Sequence, residues 1–186
     1  SGHYYARNQF MACMCRPGTK NNLNRGIYKS CNTYFSNVYR RIIDKDNKVE
    51  ENINNWHKHL NSFGLGNYLG YDHPVGQPGY VPNANFYNLW YPNQRWRGST
   101  IVSNAIGQGE ILMTPIQLAN VAATIANRGF FYTPHFVKDI QGDFIDPKYK
   151  TKRATSISKE HFTNVIEGMA DVVSKGTARV AAIRGI

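Results

Sequence analysis

Apolar residues in this chain recur every three or four positions, and that spacing limits the fold more than any other feature. Phe35, Val38, Tyr39, Ile42 and Ile43 form one stripe, running from Tyr34 to Asp44. Val49, Ile53, Trp56, Leu60 and Phe63 form the next, with Gly64 as its stop. Phe162, Val165, Ile166, Met169, Val172 and Val173 form a third, starting near Ser158 and closing at Gly176. Such spacing gathers side chains on one side of an α-helix, whereas a half-buried strand needs strict alternation. A short helix is expected over about residues 22 to 29, where Leu23 and Ile27 stand four apart. Another follows Thr114-Pro115, with the hydroxyl placed to cap and proline tolerated in the first turn. Its body, "IQLANVAATIANRG", is apolar and small enough on most faces to be buried, and Gly129 ends it. Residues 1 to 20 have no clean period, and residues 130 to 145 read as one or two short strands around Gln141-Gly142. The stretch from 64 to 100, rich in Gly, Pro, Asn, Tyr and Trp, reads as a functional excursion rather than a simple connection. The fold class is therefore α+β, mostly α, with minor β.

Apolar residues at 41% and aromatics at 13% exclude a disordered chain, and 186 residues suffice for one domain or a large part of a bigger one. No run of about 18 apolar residues exists, so no segment here is expected to cross a membrane. The net charge of +10 raises the question of nucleic acid. Its longest cluster, Lys148-Tyr149-Lys150-Thr151-Lys152-Arg153, follows Asp146-Pro147 in an expected loop and reads as a solvated run. With no recognition motif beside the charge, no nucleic-acid partner is expected, and an anionic membrane or wall surface suits the balance better.

One short run stands out. Ser30-Cys31-Asn32, followed by Thr33, sits between two helical stripes that are out of phase, which implies a break at residues 30 to 32. In a helix, Ser30 and Asn32 would point in nearly opposite directions; in an extended turn they fall on one side. There a hydroxyl can relay a proton while the amide beside it holds a peptide group. The plainer reading makes Asn32 or Thr33 the cap of the following helix, and a Ser-x-Asn triplet is expected about once by chance in such a chain.

Four segments, "YKSCNTYFSNVYRRIID", "FGLGNYLGYDHP", "GQGEILMTPIQLANVAATIANRGFFYTPHFV" and "VIEGMADVVSKGTARVAAI", occur in this order. Together they resemble the transpeptidase domain of class B penicillin-binding proteins, of the elongation type, along nearly the whole chain. The resemblance implies the helical lobe of a penicillin-binding-protein/β-lactamase-like domain, with residues 1–186 a partial transpeptidase domain. In that family a serine in a Ser-x-x-Lys motif attacks the penultimate D-alanine carbonyl of a peptidoglycan stem peptide, and the acyl group passes to an amine on a neighbouring strand. Ser30-Cys31-Asn32 matches the family's second motif, so the resemblance makes Ser30 and Asn32 the catalytic candidates. Ser30 would pass protons toward the leaving amine, and Asn32 would hold the acyl-side amide.

The family's upstream Ser-x-x-Lys and downstream Lys-[Thr/Ser]-Gly have no counterparts in place. Ser156-Ile157-Ser158-Lys159 fits the first pattern but follows the triplet, and Lys175-Gly176-Thr177 has the right residue types in the wrong order. The first is expected to cap a helix and the second to end one. The chain alone is therefore expected to be inactive toward penicillin. Asp72, in a Gly-Tyr-Asp-His-Pro run like the family's loop, is expected to order that loop. The resemblance also implies β-lactams and stem peptides as ligands, a glycan-polymerising membrane partner, and a place on the periplasmic side of a bacterial inner membrane. The alternative function is a non-catalytic cell-wall-binding or scaffold module of the same fold.

Cys13, Cys15 and Cys31 make an odd count. No cofactor is required for the family's chemistry. One disulfide from Cys31 to either of the others is open, since Cys13 and Cys15 are too close in sequence for relaxed pairing. A structural zinc is the other reading: the resemblance makes Cys31 a ligand, with Cys13, Cys15 and His3 completing a tetrahedron. His57, His59, His73, His135 and His161 have no spacing that suggests ligation. Tyr87, Trp90, Tyr91 and Trp96 are either groove-lining or packing aromatics.

Overall fold

The computed structural model describes residues 2–6, 9–13, 15, 19–93, 95–139, 141 and 145–183, with no side-chain description for residues 2–6 and 9. The chain divides into two compact units, residues 1–53, 84–109 and 163–186 in one, and 54–83 with 110–162 in the other. No helix of the described residues is long and apolar enough to cross a membrane.

In the first unit, strands β1 (Gly2–Ala6) and β2 (Gln9–Ala12) pair antiparallel with Gly2 opposite Ala12 and His3 opposite Met11. The sequence reading missed this hairpin, because its residues carry no clear alternation. It lies against α2 (Asn32–Ile43), which follows α1 (Leu23–Tyr28) after a three-residue break. The break spans Lys29 to Cys31, one residue earlier than the 30–32 expected from the out-of-phase stripes. Tyr39 and Ile43 of α2 and Ile53 of α3 (Val49–Ser62) are buried, on the side that the stripes mark as apolar. Full burial of one such side chain contributes about 1.5–3 kcal/mol. A second short helix, α4 (Ala84–Trp90), lies inside the stretch read as irregular. Its apolar residues are too few to show a period, and it is held instead by Tyr87, which is fully buried. The Tyr87 hydroxyl accepts from Asn104 Nδ2 at 2.6 Å, and the same nitrogen reaches the Tyr39 hydroxyl at 3.3 Å. One buried carboxamide thus joins α2, α4 and the 3₁₀ turn Val102–Ile106.

The second unit is built around α5 (Pro115–Ala126) and a two-stranded ribbon. Thr114 caps α5 in a reciprocal box with Gln117, and Pro115 occupies the first turn, as the sequence implies. The burial of α5 is inverted from expectation. Its buried residues are Gln117, Asn120 and Thr124, while Leu118 is 51% exposed and Ala119, Ala122, Ala123 and Ala126 face outward. The polar side chains go inward because each has a backbone carbonyl to satisfy: Asn120 Nδ2 donates to Phe63 O at 3.0 Å, and the Thr124 hydroxyl to Asn120 O at 2.6 Å. Strand β3 (Phe130–Tyr132) pairs antiparallel with β4 (Lys152–Ala154), Phe131 opposite Arg153. The second strand therefore lies later than the 130–145 region allowed; its Lys-Arg-Ala sequence is exposed throughout and carries no apolar signal. Gln141 is in a turn, and Gly142 lies outside the described residues. Arg153 is held twice, its guanidinium 5.0 Å from the Phe131 ring and Nη1 3.2 Å from Leu69 O. The third expected helix, α6 (Phe162–Ser174), belongs to the first unit from Thr163 onward and follows a 3₁₀ turn at Lys159–His161.

Candidate functional site

Helix α1 ends in a Schellman motif. The Ser30 N–H donates to Ile27 O at 3.0 Å and the Cys31 N–H to Gly26 O at 2.9 Å, closing the last turn. This geometry needs a left-handed residue after the C-cap, and Ser30 takes it at φ 48°. Glycine is the default there, since a Cβ makes left-handed backbone unfavourable by about 1–2 kcal/mol. A serine in such a position is a strained residue held by its surroundings, and strain of this kind gathers at functional sites. The sequence reading expected an extended turn. The turn is instead left-handed at Ser30, extended only at Cys31 (φ −84°, ψ 95°), and Asn32 is already the first residue of α2.

The three side chains alternate. Ser30 is exposed, Cys31 fully buried and Asn32 half-buried. The Ser30 hydroxyl lies 3.1 Å from that of Thr177, beyond the end of α6. Asn32 Nδ2 donates to Ala12 O at 3.0 Å, which ties α2 to the hairpin and leaves the carboxamide oxygen to other uses. Cys31 is the N-cap of α2 but makes no side-chain cap bond, and Thr33 lies within the helix, so neither predicted cap is used as such. Beside the turn a groove of about 420 Å³ is lined by Lys20, Arg25, Lys175 and the carboxamides of Asn21, Asn22 and Asn24.

Cys31 points into the cysteine cluster. The sulfurs of Cys13, Cys15 and Cys31 lie within 4.8 Å of one another. Cys15 and Cys31 stand as a disulfide pair with Cα atoms 6.0 Å apart, and Cys13 Sγ is 3.7 Å from Cys31 Sγ. Burial pushes the Cys13 thiol up, but the hydroxyl and backbone of Thr33 and the backbone of Cys15 and Asn32 outweigh it and hold the thiol below its ordinary value. Two of those backbone groups belong to the first turn of α2, where N–H groups lack helical partners. Asn21 Nδ2 also reaches Cys31 Sγ at 3.5 Å. Three converging cysteine sulfurs, once Cys15 and Cys31 are reduced, have the donor chemistry of a zinc site. The His3 side chain, the fourth candidate, lies outside the described residues.

The remaining candidates resolve into structural roles. Asp72 accepts from the backbone N–H groups of Phe136 (2.8 and 3.1 Å) and Val137 (2.7 Å), which keeps its carboxyl below the usual range. It ties one loop to another, the ordering role read from sequence. Ser156 meets His59 Nδ1 at 2.6 Å and Ser62 Oγ at 2.9 Å on an exposed face, and Ser158 stands at the N-cap of the 3₁₀ turn but makes no side-chain cap bond, so the expected cap is not formed. Tyr87 and Trp96 are packed together with ring centroids 5.1 Å apart, and Trp96 Nε1 donates to Asn88 Oδ1 at 2.8 Å. Tyr87 is therefore core, whereas Trp96, though largely buried, lines with Tyr91 a groove of about 820 Å³. Trp90 is 70% exposed. Sequence reasoning missed Thr177; Lys175-Gly176-Thr177 was read only as a helix end.

Residues 4–186 match the penicillin binding protein transpeptidase domain. The chain belongs to that family. The peptidoglycan D,D-transpeptidase MrdA of Acinetobacter baumannii is 30% identical over 165 residues, covering 85% of this chain and 22% of that protein. MrdA of Haemophilus influenzae is 32% identical over 126 residues, 67% of this chain and 18% of its own. The chain thus spans about a fifth of the length of the curated relatives it matches. Among solved structures, Pseudomonas aeruginosa PBP2 in complex with WCK 5153 aligns with a TM-score of 0.76 at 26% identity, over 96% of this chain and 37% of that one. Helicobacter pylori PBP2 in its complex with MreC aligns with a TM-score of 0.72 at 29% identity, over 97% and 31%.

Proposed function

We propose that this chain is part of a peptidoglycan D,D-transpeptidase, and that Ser30 and Asn32 belong to its active site. The observation that carries the reading is Ser30 itself: a hydroxyl facing solvent from a left-handed turn, where glycine would be the easier choice, in a chain that matches the family almost end to end. In the proposed reaction a nucleophilic serine outside this chain attacks the D-alanine carbonyl of a stem peptide. The C–N bond to the terminal D-alanine breaks, and the proton lost by the nucleophile ends on the departing amine. Ser30, which can accept one proton as it gives another, serves in that transfer. The Asn32 carboxamide, anchored to Ala12 O by its nitrogen, presents its oxygen to an N–H of the substrate.

The whole protein then acts on the periplasmic side of the inner membrane, takes β-lactams as substrate mimics, and works beside a glycan-polymerising partner. A solved peptidoglycan synthase complex that coordinates polymerization and crosslinking, 25% identical over 96% of this chain, supports a polymerising partner, and the Helicobacter pylori PBP2 solved with MreC supports a partner protein more generally. The test is labelling by fluorescent penicillin. The full-length protein is expected to label covalently and this chain alone to stay unlabelled, because no Ser-x-x-Lys precedes Ser30 within it. An unlabelled full-length protein would instead support the scaffold reading.

The cysteine cluster is proposed to hold a structural zinc through Cys13, Cys15 and Cys31, with His3 as fourth ligand. Support comes from the convergence of the three sulfurs and the lowered Cys13 thiol, and from His3 lying opposite Met11 in the hairpin that leads into Cys13. The metal would pin the hairpin to the turn and take no part in acyl transfer. Protein purified without chelator is expected to carry about one equivalent of zinc. Less than roughly a tenth of an equivalent leaves the Cys15–Cys31 disulfide as the native state.

A further inference from the structure

We propose that Thr177 is a positioning residue that fixes the Ser30 hydroxyl for acyl transfer, an inference that rests on the transpeptidase reading. The two hydroxyl oxygens are 3.1 Å apart although the residues are separated by 147 positions. A serine on an exposed turn has three staggered rotamers and a hydroxyl that rotates to suit its neighbours. Thr177 removes that freedom because its own hydroxyl is fixed. Threonine is stiff at χ1. Its backbone is anchored to the same turn, with its N–H donating to Tyr28 O at 3.1 Å, two residues before Ser30. The next residue, Ala178, donates back to Val172 O at 3.1 Å and closes the end of α6.

The approach depends on Gly176. A Cβ there would collide with the Tyr28 carbonyl oxygen and with the backbone of Val172, so only glycine lets the two segments come this close. One turn earlier, Asp171 accepts from Asn24 Nδ2 at 3.0 Å and pairs with Lys175 at 2.8 Å. Lys175 also lies 5.2 Å from the centre of the Tyr28 ring. The end of α6 is therefore stitched to α1 from Asn24 to Ser30, and Thr177 is the stitch that reaches the candidate reacting group. A serine hydroxyl offers one donor and two acceptors. With one of these taken by Thr177, the others are directed to the open side of the turn, where a relay must align with its partner to within hydrogen-bond reach.

The experiment measures the second-order rate of acylation by fluorescent penicillin in the full-length protein containing this chain. Thr177→Val is expected to slow acylation about tenfold, the scale of one lost hydrogen bond, with an unchanged melting temperature. Thr177→Ser, which keeps the hydroxyl, is expected to recover most of that loss. Thr177→Ala carries the expectation of the valine variant and covers disturbance of the turn by valine's second methyl. The double variant Ser30→Ala/Thr177→Val is expected to be no slower than Ser30→Ala alone, because Thr177 acts only through Ser30. If Ser30→Ala is slow while both Thr177→Val and Thr177→Ala match wild type, or if the double variant falls further, the inference is overturned and the transpeptidase reading stands. If the full-length protein takes up no penicillin, or Ser30→Ala acylates normally, the reading beneath the inference fails and the inference falls with it.

Discussion

A Gln117→Leu variant of this chain is expected to lose about 3 kcal/mol of stability in the unit that contains it. Gln117 is 1% exposed, and its Nε2 lies 3.2 Å from Gly64 O, 3.0 Å from Asn67 O and 2.8 Å from Pro78 O. A carboxamide nitrogen has two hydrogens, so three carbonyls share two donors. The oxygen end accepts from the Thr114 N–H at 2.9 Å, completing the cap of α5. Leucine fills similar space and donates nothing, so the carbonyls lose their partner at about 1–3 kcal/mol for each one left buried. Denaturant titration should show a lower midpoint at unchanged slope, and limited proteolysis should begin between residues 64 and 78. An unchanged midpoint would mean that water takes the place of the amide.

The second large effect concerns chemistry. Ser30→Ala in the full-length protein is expected to slow acylation by about a hundredfold or more, the range for loss of a proton-transfer group. Stability is expected to stay level, because alanine and serine meet the same left-handed penalty at φ 48°. Ser30→Gly separates the two effects: it removes the hydroxyl as well, but relieves the backbone by about 1 kcal/mol. Equal loss of rate in both variants, with a gain in melting temperature only for glycine, assigns the loss to the missing hydroxyl. A rate within a factor of two of wild type in both would take the turn out of the mechanism.

Much of this was legible in the residues, for identifiable reasons. The α2, α3 and α6 helices announce themselves through a three-to-four apolar spacing, although in α6 only Phe162 of the stripe is fully buried and Met169 and Val173 are exposed. The Thr114-Pro115 cap with Gln117 at the third position is likewise a local rule. Helix α4 was not legible, since seven residues held mainly by Tyr87 leave no period. Strand β4 was not legible either, because Lys152, Arg153 and Ala154 are all exposed residues with no apolar alternation among them. The break at the Ser-Cys-Asn run followed from the phase of its neighbours. Its left-handed backbone did not, since that requires knowing which carbonyls Ser30 and Cys31 will bond. Thr177 escaped because nothing local connects it to Ser30: only the folded chain brings positions so far apart in sequence into contact.

The inward polar face of α5 bears on how the second unit keeps its shape. Amide contacts are directional, so Gln117 and Asn120, which bond to carbonyls outside the helix, lock its rotation and register where aliphatic contacts would let it slide; the Thr124 hydroxyl bonds within the helix to Asn120 O. The outer side carries alanines at 119, 122, 123 and 126 beside the exposed Leu118, so most of it is low relief. Alignment is thus secured from within, and the exterior stays free of any part in holding it.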